Sequence, residues 1–156
     1  MNWRINILLV LGLFLGGSHL SGAGSTTVSW EINESESRVT LFLTFPVPVT
    51  HRNEAFPTRL VFNVPGGQLE QDAPTKVKRE SGFVREVKAI SIEDPDEFLR
   101  LVFTFSLRVP IEDSDYRYVR LSPTRYAFIL DKSRLLCRHD NYLREQRGEE
   151  EIDCPT

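Results

Sequence analysis

From Thr27 onward, apolar residues recur at every second position, the period of a strand with one face buried. Val28, Trp30 and Ile32 share one face of a first strand. Val39, Leu41, Leu43 and Phe45 do so in a second, with Thr40, Phe42 and Thr44 on its other side. Leu60, Phe62 and Val64 follow, then residues 84–92, then Leu101, Phe103, Phe105 and Leu107. Tyr116 and Tyr118, with Leu121 beyond them, mark a short strand, and Tyr126, Phe128 and Leu130 mark the last. Pro46, Pro48, Pro57, Pro65, Pro110 and Pro123 fall at the ends of these runs or between them, where a missing N–H does least harm. Pro65-Gly66-Gly67 is a turn signal. Residues 70–81 are polar and of mixed charge, which reads as a loop with room for one helical turn.

The pattern repeats. Arg38-Val-Thr-Leu-Phe-Leu-Thr-Phe-Pro-Val-Pro-Val49 aligns with Arg100-Leu-Val-Phe-Thr-Phe-Ser-Leu-Arg-Val-Pro-Ile111 at an offset of 62. Phe56-Pro-Thr-Arg-Leu-Val-Phe-Asn-Val64 aligns with Ser122-Pro-Thr-Arg-Tyr-Ala-Phe-Ile-Leu130 at an offset of 66. Each half is a leading strand, a strand opened by Arg, a Pro-containing turn, and a Pro-Thr-Arg strand. Neither half can bury its apolar face alone. The expected fold is therefore all-β: a small sandwich of two similar sheets from an internal duplication, packed face to face. One short helix between the halves and one near the C-terminus complete the expectation.

In this order and duplicated, these elements resemble the AMIN domain. That family is the non-catalytic N-terminal domain of bacterial N-acetylmuramoyl-L-alanine amidases, and it also occurs in type IV pilus secretins and in stand-alone envelope proteins. Val84-Arg-Glu-Val-Lys-Ala-Ile90 followed by Phe98-Leu-Arg-Leu-Val-Phe103 is similar to the family's second half. The resemblance runs from Thr27 to Asp131. The chain departs from the pattern at Asn63, where the family often has Asp, and at Ile129, with Asp131 two places on. The resemblance implies non-catalytic attachment to peptidoglycan, or recruitment to a secretin, pilus or division complex as a protein–protein adaptor. It implies the periplasm of a Gram-negative-type bacterium, and no cofactor.

The first 23 residues agree with export. Arg4 precedes an apolar stretch of about ten residues, and Ser21 and Ala23 are small, as in a secretory signal. The stretch is shorter than the roughly 20 residues that span a bilayer. A cleaved signal leaves about 133 residues, one domain's worth. An uncleaved signal would be the only membrane attachment. Residues 24–131 then form the sandwich, and residues 132–156 a polar, acidic tail. The net charge of −3 makes phosphate neutralisation, and so nucleic-acid binding, a poor fit.

Little in the sequence can perform chemistry. No His-Glu-x-x-His pair, Gly-x-Ser-x-Gly elbow or phosphate-binding Gly loop is present. Glu93, Asp94, Asp96 and Glu97 lack the spacing and glycine of a calcium loop. The two cysteines, Cys137 and Cys154, lie in a chain bound for an oxidising compartment and can either bridge or remain free thiols. No metal site is expected. The binding candidates are Arg38, Arg59, Arg100 and Arg125, whose forked guanidinium suits carboxylates, and Phe42, Tyr116 and Tyr118, which can stack on sugars. The same arginines can instead pair with acids beside their strands, and the same aromatics can belong to the core. In the tail, Leu135, Leu136, Tyr142 and Leu143 fit a short amphipathic helix ended at Gly148, followed by a solvated, mobile acidic run at residues 149–153.

Overall fold

Strands form where β-branched, aromatic and Leu residues alternate with polar ones. The computed structural model describes residues 25–46, 51–54, 57–93 and 97–155. The expected signal, Val47 to Val49 of the first repeat, and Asp94 and Asp96 lie outside them. The strands are β1 (Thr26–Val28), β2 (Trp30–Glu34), β3 (Arg38–Leu43), β4 (His51–Glu54), β5 (Arg59–Pro65), β6 (Gly67–Leu69), β7 (Lys76–Lys78), β8 (Val84–Ile92), β9 (Phe98–Phe105), β10 (Tyr116–Ser122) and β11 (Arg125–Asp131). A 3₁₀ turn, Asp113–Asp115, leads into β10, and helix α1 spans Lys132–Arg147. One antiparallel sheet has the order β10-β11-β3-β2 and the other β4-β5-β9-β8-β7. Val39, Leu41, Leu43, Phe128 and Leu130 from the first meet Leu60, Phe62, Leu99, Leu101 and Phe103 from the second in one buried core. Phe62 and Phe128 touch edge to face across it, with centroids 5.7 Å apart.

The duplication is visible, but the halves interlock. The hairpin β2-β3 from the first half pairs with β11 from the second, and the hairpin β8-β9 pairs with β5 from the first. Leu43, Leu41 and Val39 stand opposite Tyr126, Phe128 and Leu130. Phe103, Leu101 and Leu99 stand in the same way opposite Leu60, Phe62 and Val64. The offset between β3 and β9 is thus 60, while that between β5 and β11 is 66 as expected. The sequence alignment is slipped by two residues in the first strand. A two-residue slip leaves every side chain on its own face, so hydrophobicity does not detect it. Arg100 therefore matches Thr40, and Arg38 matches Phe98.

Other elements differ from the expected ones. The first strand breaks at Ser29, whose N–H donates to Thr44 Oγ1 at 2.8 Å, while Thr44 Oγ1 donates to Thr27 O at 2.9 Å. β1 then leaves the sheet and pairs in parallel with β6. Gly67 permits this, since a Cβ there would lie 2.8 Å from the Val64 carbonyl oxygen. Residues 70–81 hold a turn closed by Ala73 N–H to Glu70 O at 3.0 Å, then edge strand β7, in place of a helical turn.

Helix α1 follows β11 directly. Asp131 caps it by accepting from Arg134 N–H at 2.9 Å. Gly148 ends it in the left-handed conformation at φ 71°, its N–H and that of Glu149 returning to the last carbonyls. Leu135 is fully buried in the sandwich core, so the helix closes one end of the sandwich. Cys137 and Cys154 are joined by a disulfide with Cα atoms 5.6 Å apart. The acidic run is exposed as expected but is tied to the helix, with Asn141 exchanging two hydrogen bonds with Ile152 at 2.8 and 2.9 Å. Among the described residues no helix is long and apolar enough to cross a membrane.

Glu34 joins β2 to both the helix and the start of β8. It accepts from Phe83 N–H at 2.7 Å, from Lys132 Nζ at 2.9 Å and from Arg79 Nη1 at 3.3 Å. Burial pushes its carboxyl up, but the Lys132 bond, the Phe83 amide and the charges of Lys132 and Arg79 outweigh that and hold it below the usual carboxylate range. A depressed folded value adds stability that is present above the ordinary Glu pKa and is lost as pH falls through the folded value. Glu34→Gln is expected to cost about 1–3 kcal/mol at neutral pH. Urea midpoints of the two proteins should converge as the pH is lowered through the carboxylate range. A gap that is equally wide once carboxylates are protonated would refute the assignment.

Candidate binding surface

Alternation along the four-stranded sheet turns one set of side chains to the core and the other to the outside. The outward set is Arg117 and Val119 on β10, Ala127 and Ile129 on β11, Thr40 and Phe42 on β3, and Glu31 and Asn33 on β2, with Arg38 and Arg125 at opposite ends of the face. Two rows cross the strands: Val119–Ala127–Phe42–Glu31 and Arg117–Ile129–Thr40–Asn33. The first row is apolar from Val119 to Phe42 and ends in Glu31. Ala127 is 2% exposed between its larger neighbours, Val119 is 38% exposed, and Leu121, also on β10, is 51% exposed.

A shallow cleft lies at each end of this face. One, of about 350 Å³, is lined by Arg38, Arg117, Tyr116, Ile129 and the serines at 37, 114 and 133. Among the described residues neither Arg38 nor Arg117 takes part in an ion pair. The other cleft, of about 530 Å³, is lined by Trp30, Glu31, Phe42, Thr44, Thr124 and Arg125. There the Arg125 guanidinium lies over the Phe42 ring at 4.7 Å and pairs with Glu31 at 3.2 Å.

The residues singled out by sequence do not form one site. Arg38, Arg125 and Phe42 share the outer face of the four-stranded sheet. Arg59 and Arg100 stand on the outer face of the other sheet, on the far side of the sandwich. Arg59 lies 3.7 Å from Glu54. Arg100 Nε donates to Asn63 Oδ1 at 3.0 Å, and its guanidinium lies over Phe98. Asn63, which replaces the expected Asp, serves this contact without a charge. Tyr116 and Tyr118 point to the core side. Tyr116 stacks on Phe128 with centroids 4.3 Å apart, and Tyr118 on Tyr126 at 5.7 Å. Their phase matches that of Phe128 across the ladder, so both are half-buried and stack their rings against core-side aromatics.

The ionisable groups here are structural. The Tyr116 hydroxyl donates to Asp113 Oδ1 at 3.0 Å and lies 3.1 Å from His51 Nε2. Burial, then the Asp113 contact, pushes its pKa above the usual tyrosine value, away from a reactive phenolate. His139 is held below its usual value by burial and by the Arg108 charge, and its Nδ1 accepts the Arg108 N–H at 3.2 Å. No group of three or more His, Cys, Asp or Glu side chains fit to hold a metal occurs among the described residues.

Two residues escape the sequence reading, Arg117 and Val119. Their signal was present, since they alternate with Tyr116 and Tyr118 along one strand. The paired tyrosine rings set the apparent apolar phase of the strand, and the residues alternating with them were read as its polar side. Comparison of the chain with protein-family models, with curated proteins and with solved structures finds no match.

Proposed function

We propose that this chain is a non-catalytic, exported docking module of the cell envelope, and that it acts as a protein–protein adaptor. One observation carries the reading: β10 is an edge strand that presents Val119 and Leu121 to solvent, at 38% and 51% exposure. Such an edge is a template for pairing with another chain. The resemblance to the AMIN domain supports the compartment and the non-catalytic role. A saccharide-binding face built from four arginines and two tyrosines is disfavoured, because the arginines divide between opposite faces and the tyrosines point inward. A narrower wall-binding reading rests on the Trp30, Phe42 and Arg125 cleft, where rings and polar groups converge as a sugar ring requires.

Site-specific photo-crosslinking in the envelope of a Gram-negative host tests the two. A crosslinker at position 119 is expected to capture a protein, while one at position 88, on the other outer face, captures none. Co-sedimentation with purified peptidoglycan sacculi is expected to leave the chain in the supernatant at physiological salt. Saturable, salt-resistant pelleting abolished by Phe42→Ala, with no capture at position 119, would replace the adaptor with the wall-binding reading.

A further inference from the structure

Among the described residues β10 has pairing partners only on its β11 side. From Tyr116 to Arg120 the ladder is regular, and its one irregularity lies at the turn end, between Arg120 and Ser122. Natural edges are commonly blocked by proline, inward charges, bulges or a covering element. Tyr116 to Arg120 contains no proline, and its inward positions are Tyr116, Tyr118 and, at the turn end, Arg120, whose guanidinium lies over the Tyr126 ring. The cleft at the start of this edge is lined by Arg38 and Arg117 and by two carboxylates engaged elsewhere, Asp115 with Arg138 and Asp131 in capping α1. Arg117 and Arg38 take part in no ion pair among the described residues, while Arg120 Nε donates to the Ser122 carbonyl at 3.2 Å. Between the arginines lie the apolar Val119 and Ile129.

We propose that β10 receives an extended segment of another protein as an added strand, and that this segment alternates acidic and apolar residues. Resting on the adaptor reading, the proposal names its partner's chemistry. An incoming strand lies about 4.8 Å away, so its outward residues sit beside Arg117 and Val119. A carboxylate beside Arg117 gains a forked hydrogen-bonded pair, and an aliphatic side chain beside Val119 extends the stripe through Ala127 to Phe42. A second copy suits the edge less well. Antiparallel self-pairing about Val119 sets Arg117 opposite Leu121 and Arg120 opposite Tyr118 of the other copy, so neither guanidinium meets a carboxylate. The chain's own acidic run is held on α1 by the disulfide and by Asn141.

The probe is a fluorescein-labelled nonapeptide alternating Glu and Val, compared with the same peptide carrying Lys for Glu. Anisotropy titration of the full chain should show at least about tenfold tighter binding of the Glu peptide, and added salt should narrow the difference. Arg117→Glu should invert the preference. Hydrogen exchange should show new protection of the amides from Arg117 to Leu121 in the presence of the Glu peptide. Both arginine and valine at this edge are exposed, and circular dichroism of the variants checks that they fold. Equal affinity for the two peptides, or binding without protection of β10, overturns the proposal. A dimer seen in sedimentation velocity and abolished by Val119→Glu assigns the edge to a second copy and also overturns it. If the peptides fail while crosslinking at position 119 captures a protein, the adaptor reading stands and only the partner chemistry falls.

Discussion

Phe128→Ala is expected to lower the unfolding free energy by about 3–5 kcal/mol, the range for truncating a buried aromatic. The ring is fully buried on the inner face of β11. It stacks on Tyr116 at 4.3 Å, meets Phe62 edge to face at 5.7 Å and lies 6.2 Å from His51. It therefore joins the edge strand β10, the opposite sheet and β4 in one cluster. Truncation removes apolar contact and leaves a void between two hydrogen-bonded sheets that cannot collapse onto it. A domain of this size has about 5–15 kcal/mol in total, so the variant should be close to unfolding at 37 °C. Val119→Ala on the outer side of the same sheet should cost no more than about 0.5 kcal/mol. Urea midpoints of the three proteins check this, and a loss below about 1 kcal/mol for Phe128→Ala would mean that the two sheets do not meet through this ring.

Phe128 was legible because its signal is local. Period two, read along β2, β3, β5, β8, β9 and β11, places the core side chains without any knowledge of which strand pairs with which. What that period cannot carry is topology. The alignment of Arg38 with Arg100 was reasonable residue by residue, yet the register shows Thr40 in that place, since a slip of two preserves the faces. The exchange of β5 and β11 between the sheets is likewise invisible locally, and it decides that the four arginines divide between two outer faces. β4 reads His-Arg-Asn-Glu, with no apolar alternation, and exists because β5 supplies a partner for it. At the candidate surface, Phe42 stood out by being out of phase with its strand. Arg117 and Val119 did not, because the inward tyrosines beside them set the apparent pattern. The tail was legible as a helix from its cap, its apolar spacing and Gly148. Its place in the core was not, for that depends on Leu135 meeting residues far away in the chain.

The second large effect concerns a pair that no periodicity announces. Arg138→Ala is expected to destabilise the chain by about 3–5 kcal/mol, because it strands a buried carboxylate. Asp115 is fully buried at the end of the 3₁₀ turn. Its Oδ2 accepts the Glu112 N–H at 2.8 Å and pairs with Arg138 Nη1. Its Oδ1 has only Arg134 Nε, at 3.4 Å, and no hydrogen bond. With Arg138 gone, one distant guanidinium remains to offset a charge that has left water. The exposed pair Arg125–Glu31 is the contrast, and Arg125→Ala should cost no more than about 1 kcal/mol. The double variant Asp115→Asn, Arg138→Met should recover part of the loss, since it removes both charges and keeps most of the volume. A double variant as unstable as Arg138→Ala alone would locate the cost in packing rather than in the stranded charge. The damage should also reach the edge strand. Asp115 immediately precedes Tyr116, so loosening the 3₁₀ turn frees the start of β10 from the helix that anchors it. Hydrogen exchange in Arg138→Ala should accordingly rise first at β10, before the strands of the opposite sheet, which links the closure of the sandwich by α1 to the order of its edge strand.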